Sequence, residues 1–128
     1  MRVTGVLLYV KDVDRAVAFY AGTLGLRLEA RPAPHIALVD AGGVSLYLHR
    51  EPDPLPDRLA PLAIANMCGL GVIIHLTVED VDLYATRLDA AGYPISQRPI
   101  DQSFGRRQMY LYDPDGYNLV LEAPLNIS

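Results

Sequence analysis

Tryptophan is absent from this 128-residue chain, cysteine occurs once and phenylalanine only twice. With Cys68 alone, no intrachain disulfide can form. The lack of a CxxC pair excludes zinc-finger and thioredoxin-like readings, and Cys68 reads best as a small hydrophobe. No apolar run approaches the roughly 20 residues needed to cross a bilayer. No GxSxG, HExxH or glycine-rich phosphate motif points to hydrolase, metalloprotease or nucleotide chemistry. Positive charge is in short supply: 11 Lys and Arg face 15 Asp and Glu, a formal net charge of -4. That balance argues against nucleic-acid and anionic-membrane partners. No signal-peptide pattern precedes the first strand-like segment, so a cytoplasmic location is expected.

What is present is a foldable chain, 51% hydrophobic and 20% charged, with eight tyrosines. Its length suits one domain and is too short for a (β/α)₈ barrel or a two-domain dehydrogenase. Two stretches share one pattern. A strand over Val3–Val10 leads into Lys11-Asp12-Val13-Asp14. A helix follows, with Val13, Ala16, Val17, Tyr20 and Leu24 on one face, Asp12 as N-cap and Gly25 as stop. Strands follow over Leu26–Arg31, Ile36–Val39 and Val44–His49. The pattern restarts at Gly71–Val78, with Asp80 placed like Asp12 and a helix that ends at Gly92. Three more strands are expected over Tyr93–Arg98, Arg107–Tyr112 and Tyr117–Glu122, the last two joined by Asp113-Pro114-Asp115-Gly116. The expectation is a single α+β domain over 1–128, with βαβββ modules at 1–50 and 71–128 and a proline-rich linker at 51–70. Residues Asp57–Met67 of that linker have room for a short helix.

The motifs Val10-Lys11-Asp12-Val13-Asp14, Phe19-Tyr20, Leu24-Gly25, Phe104-Gly105-Arg106-Arg107 and Tyr112-Asp113-Pro114-Asp115-Gly116-Tyr117 resemble those of the vicinal oxygen chelate superfamily. This is the group of glyoxalase I, extradiol dioxygenases, fosfomycin-resistance enzymes and bleomycin-resistance proteins. The resemblance covers essentially the whole chain. It implies paired βαβββ modules whose curved mixed sheets surround a concave pocket. It also implies a homodimer, with pockets built from both chains.

Strand alternation splits each strand into two faces. Leu8, Leu46, Leu76, Met109 and Leu121 fall on an apolar face expected to pack under the helices. The other face carries Tyr9, Tyr47, His49, His75, Gln108, Tyr110, Tyr112 and Glu122. With Phe104 and Arg106 these are the expected ligand-binding residues. Arg107 beside Arg106 offers a second cation for an anionic ligand. The resemblance would place metal ligands at Gly5, Tyr47, Ile73 and Val120. Three of these have no side-chain donor and a lone neutral tyrosine does not hold a divalent ion. No metal and no other cofactor is therefore expected.

The resulting reading is metal-independent binding of an aromatic or amphipathic small molecule, of the antibiotic-sequestration type. Tyrosines would supply stacking area and hydroxyl groups, and Glu122 would suit a cationic group on the ligand. Two alternatives stand beside it. One is a metal-free isomerase, cyclase or epimerase acting on a natural product, with His49, His75 and Glu122 as catalytic candidates and a Tyr hydroxyl polarising a carbonyl. The other is a metal-dependent lyase or dioxygenase whose site is displaced by one pleat onto His49, His75 and Glu122.

Overall fold

The computed structural model describes residues 1–54 and 72–125. Most of the expected linker, with its Asp57–Met67 helix and Cys68, lies outside the described residues. The chain divides into two compact units, Met1–Leu70 with Pro114–Gly116, and Gly71–Asp113 with Tyr117–Ser128.

In the first unit, β1 (Gly5–Val10) runs into a helix, α1 (Val13–Val17), which continues as a π-helical turn over Ala18–Thr23. Then come β2 (Arg27–Ala33), β3 (Ile36–Asp40) and β4 (Ser45–Arg50). Asp12 caps α1 by accepting from the Arg15 amide. The π turn widens what the periodicity predicts as one α-helix to Leu24. It keeps Phe19 and Tyr20 fully buried, their rings edge to face at 5.0 Å. The strands form a mixed sheet in the order β1-β4-β3-β2, with β1 parallel to β4.

The second unit repeats this order. It comprises β5 (Ile73–Thr77), α2 (Val81–Ala91), β6 (Gln97–Asp101), β7 (Arg106–Tyr112) and β8 (Asn118–Pro124). The sheet order is β5-β8-β7-β6, with β5 parallel to β8. Asp80 caps α2 through the Leu83 amide, and Gly92 closes it in the left-handed conformation at φ 81°. The VxDVD repeat in the sequence is thus a repeated helix start, made by the same carboxylate–amide bond in both units.

The implied curvature is corrected by the strand order. Each sheet is an open set of four strands, and neither curls nor closes around a concave pocket. Four strands are too few to close, since even small barrels need about eight. The outer strands also carry breaks: the β2–β3 ladder shifts register between Leu28 and Ala30 and again between Ala30 and Ala33, and β6–β7 shifts between Gln97 and Ile100. Prolines account for two further differences from expectation. Pro32 and Pro99 lie inside β2 and β6 because both are edge strands, where a missing amide costs no ladder bond.

In the first unit the alternation holds. Leu8, Val10, Ala37, Val39, Leu46 and Leu48 are buried on one face, while Tyr9, Tyr47 and His49 are half-buried on the other. In the second unit Leu88, Met109, Leu111, Leu119 and Leu121 are buried. Leu76 is only half-buried, because β5 is an edge strand with one neighbour. Truncating the fully buried Leu48 to Ala is expected to cost about 2–5 kcal/mol, through lost transfer energy and a residual cavity. Leu7→Ala, on the opposite face and 45% exposed, should cost less than about 1 kcal/mol. Urea unfolding of both variants checks the face assignment; equal losses would contradict it.

Candidate functional site

The second sheet gathers five of the expected site residues. β7 and β8 pair so that Gln108 lies opposite Glu122 and Tyr110 opposite Val120, and β5 sets His75 beside Val120. These side chains therefore share one face of the sheet. The Tyr110 hydroxyl donates to Gln108 Oε1 at 3.2 Å, and Gln108 Nε2 donates to Glu122 Oε1 at 2.9 Å. His75 Nδ1 lies 3.2 Å from the same Glu122 oxygen, and Arg106 Nη1 lies 3.8 Å from Glu122 Oε2.

Glu122 is 7% exposed and Gln108 3%. A carboxyl on a buried strand should resist ionisation, and burial is the largest single influence on Glu122, pushing it up. The Gln108 amide, His75 and Arg106 together outweigh that and hold Glu122 below the ordinary carboxylate value. An ionised Glu122 only accepts, so His75 Nδ1 carries the proton in this contact. The other ring nitrogen, Nε2, points away from Glu122 on a side chain that is 53% exposed.

Other expected residues stand apart from this network. Phe104 projects from the turn before β7 and is 64% exposed, and Tyr112 at the end of β7 is 47% exposed. Arg107 points to the helix side, donating to both carboxylate oxygens of Asp82 and to Asp101. It is therefore not available to an anionic ligand, unlike its neighbour Arg106.

Tyr9, Tyr47 and His49 lie in the first unit. His49 Nδ1 donates to the Arg50 carbonyl at 2.8 Å, and its ring stands edge-on to Tyr9 at 5.9 Å and to His35 at 5.3 Å. A cavity of about 570 Å³ opens there. It is lined by Lys11, His35, His49 and the segment Arg50–Asp53. His49 is the expected ligand residue that lines it. The sequence reading missed His35. The signal was the β3–β4 register: Ile36 pairs with His49, which sets the hairpin residue before it beside that ring.

The positions implied as metal ligands do not fit a metal. A Cβ at Gly5 would come 2.5 Å from a Tyr47 ring carbon and 3.2 Å from the Ser45 carbonyl oxygen. The Tyr47 ring thus fills the space a ligand side chain at position 5 would need. Ile73 and Val120 bring hydrocarbon only. Among the described residues no group of three or more His, Cys, Asp or Glu side chains is arranged to hold an ion. His75 and Glu122 form a pair, and His49 packs on Tyr9 and His35 within the first unit.

The depressed Glu122 value makes a pH prediction. Its contribution to stability is complete above about pH 4.5, the ordinary value, and is lost as pH falls through the lower folded value. Thermal melts from pH 7 to pH 3 should therefore show wild type losing stability more steeply below pH 4.5 than Glu122→Gln, which lacks this titration. Parallel curves would remove Glu122 from the ionised state assigned to it.

The glyoxalase/bleomycin resistance protein/dioxygenase superfamily profile matches residues 2–121. An uncharacterised protein of Mycolicibacterium smegmatis is 32% identical over 121 residues, spanning 94% of this chain and 91% of its own. The crystal structure of TioX from Micromonospora sp. ML1 superposes with a TM-score of 0.74 at 27% identity, covering 98% of this chain and all of its own. A glyoxalase/bleomycin resistance protein/dioxygenase from Nocardioides gives 0.74 at 25% identity, over 100% of this chain and 86% of its own. Among the described residues no helix is long and apolar enough to cross a membrane. With a matched profile over nearly its full length and the βαβββ order written twice, the chain belongs to the glyoxalase/bleomycin resistance protein/dioxygenase superfamily.

Proposed function

We propose that this chain binds an aromatic or amphipathic small molecule without a metal ion, and that it does so stoichiometrically, in the manner of antibiotic sequestration. The observation that carries the reading is the Tyr110–Gln108–Glu122–His75 network on one face of the second sheet. A ligand laid on it meets the Tyr110 ring, the half-exposed His75 imidazole and the Arg106 guanidinium. Such a mixture of ring area and convergent polar groups is what binds drug-sized molecules. The sequence reading paired Glu122 with a cationic ligand group. The carboxylate already faces His75, Gln108 and Arg106, so the proposal rests on aromatic contact and not on ligand charge. Tyr112 and Phe104, both largely exposed, extend the aromatic surface on the same reading.

A homodimer in the cytoplasm belongs to the same proposal. The outer strands β1 and β5 each have one strand neighbour, and near them Val6, Leu7, Val72 and Ile73 are exposed, Val72 by 54%. Apolar side chains on unpaired edges favour cover by a second copy. Sedimentation equilibrium should give about twice 14.0 kDa.

Equilibrium dialysis against a panel of planar aromatic natural products tests the binding. A binder should be held at one equivalent per chain and recovered chemically unchanged, with the same Kd before and after EDTA. Tyr110→Ala should weaken it about tenfold, near 1.4 kcal/mol. Binding that requires an added divalent ion, or is indifferent to Tyr110→Ala, would refute the reading.

A further inference from the structure

We propose that the cavity at the end of β4 is a second ligand site. It takes a small molecule with a cationic and an anionic group at opposite ends of a short hydrocarbon chain, the charge pattern of an ω-amino acid. The site belongs wholly to the first unit and does not depend on the reading of the second sheet.

The charges around the cavity carry the inference. Two cations, Lys11 and Arg50, and two carboxylates, Glu51 and Asp53, line a space of about 570 Å³, a size that suits a small molecule. Lys11 is the only lysine in the chain. Elsewhere the structure pairs its cations. Six arginines each face a carboxylate at 3.8 Å or closer, and Arg87 lies over the Tyr84 ring. Among the described residues, none of the four charged side chains in the cavity has such a partner. Opposite charges thus share one cavity while standing beyond ion-pair distance of each other. A ligand with a single charge would meet one sign and leave the other unmet. A ligand with two charges held apart meets both.

The cavity wall is also anchored. The Lys11 amide donates to Asp115 Oδ1 at 2.9 Å, the Arg50 amide to the His35 carbonyl at 2.9 Å, and the Glu51 amide to the Val10 carbonyl at 2.8 Å. Three of the four charged side chains therefore leave from a bonded backbone, which lowers the ordering cost of binding. The rest of the lining is Pro52 and the His35 and His49 rings, which stand edge to face at 5.3 Å. His49 is fixed further by its Nδ1 bond to the Arg50 carbonyl. These rings and Pro52 supply the hydrocarbon surface for a methylene chain.

Three probes separate the two signs: 6-aminohexanoate, hexanoate, and hexylamine in its ammonium form at neutral pH. In amide NMR titrations of the whole chain, 6-aminohexanoate should give saturable shifts at Lys11, His49, Arg50, Glu51 and Asp53, with a Kd below about 10 mM. Hexanoate and hexylamine should bind about tenfold more weakly, the size of two part-screened charge contacts. Lys11→Gln combined with Arg50→Gln should remove that tenfold advantage without weakening hexylamine. Glu51→Gln combined with Asp53→Asn should remove it without weakening hexanoate. Thermal melts matching wild type show that these variants keep the fold. Arg98→Gln, which removes a surface ion pair with Asp89, should change none of the three. Lack of a saturable shift below about 10 mM overturns the site. Hexanoate or hexylamine binding as tightly as 6-aminohexanoate overturns the two-signed ligand, as does a double variant that weakens all three probes equally. Saturable shifts at Gln108, Tyr110 and Glu122, with Lys11 and His49 unmoved, overturn the cavity site and leave the second-sheet reading standing.

Discussion

The central constraint of the second sheet is the burial of one carboxylate. Glu122 lies on β8, which has a strand on each side, and is 7% exposed. An unpaired charge there would cost several kcal/mol. The neighbouring strands answer with donors placed by register: Gln108 directly across on β7, and His75 on β5 and Arg106 on β7 each diagonally, two residues along. Shifting either partner strand by one residue would turn these donors to the opposite face. The network therefore fixes register and builds the site in the same act.

Much of the fold was legible because both signals that carry it are local. Asp12 and Asp80 each begin a helix by accepting a backbone amide three residues on, and such a cap depends on few other residues. Gly92 ends α2 for an equally local reason. Strand alternation separated Leu46 and Leu48 from Tyr47 and His49 without any knowledge of the partner strands. Features that depend on neighbours were not legible. Pro99 falls just past the strand read at Tyr93–Arg98, and the edge place of β6 lets the strand run through it to Asp101. Leu76 looked like core, yet β5 is also an edge. The openness of the sheets is a property of four-strand ladders with slipped outer registers, and no single segment encodes it.

The candidate site divides along the same line. Alternation put His75, Gln108, Tyr110 and Glu122 on one face, and pairing register then brought them within hydrogen-bond reach. The proton on His75 Nδ1 could not be inferred until Glu122 was seen to be its acceptor. Arg106 and Arg107 are adjacent and chemically identical, but the pleat sends one toward Glu122 and the other to Asp82 and Asp101. His35 escaped notice because it sits in a hairpin turn, where alternation says nothing about direction. Its proximity to His49 follows only from the Ile36–His49 pairing.

In the first sheet, position 5 has no side-chain donor and packing leaves no room for one. A glycine at position 5 could by itself leave an empty place beside β4. Instead Tyr47 lies across Gly5 so closely that no larger residue fits without moving the ring. Restoring a histidine at position 5 would therefore not restore a ligand; the imidazole would have to displace an aromatic ring and approach the Ser45 carbonyl. In the second sheet, Ile73 and Val120 stand where donors would be needed, and polar chemistry appears one pleat further along at His75 and Glu122. There the carboxylate bonds to protein donors and orients an imidazole. Here the register of three strands sets donors around a carboxylate, and the His75 side chain beside it is 53% exposed.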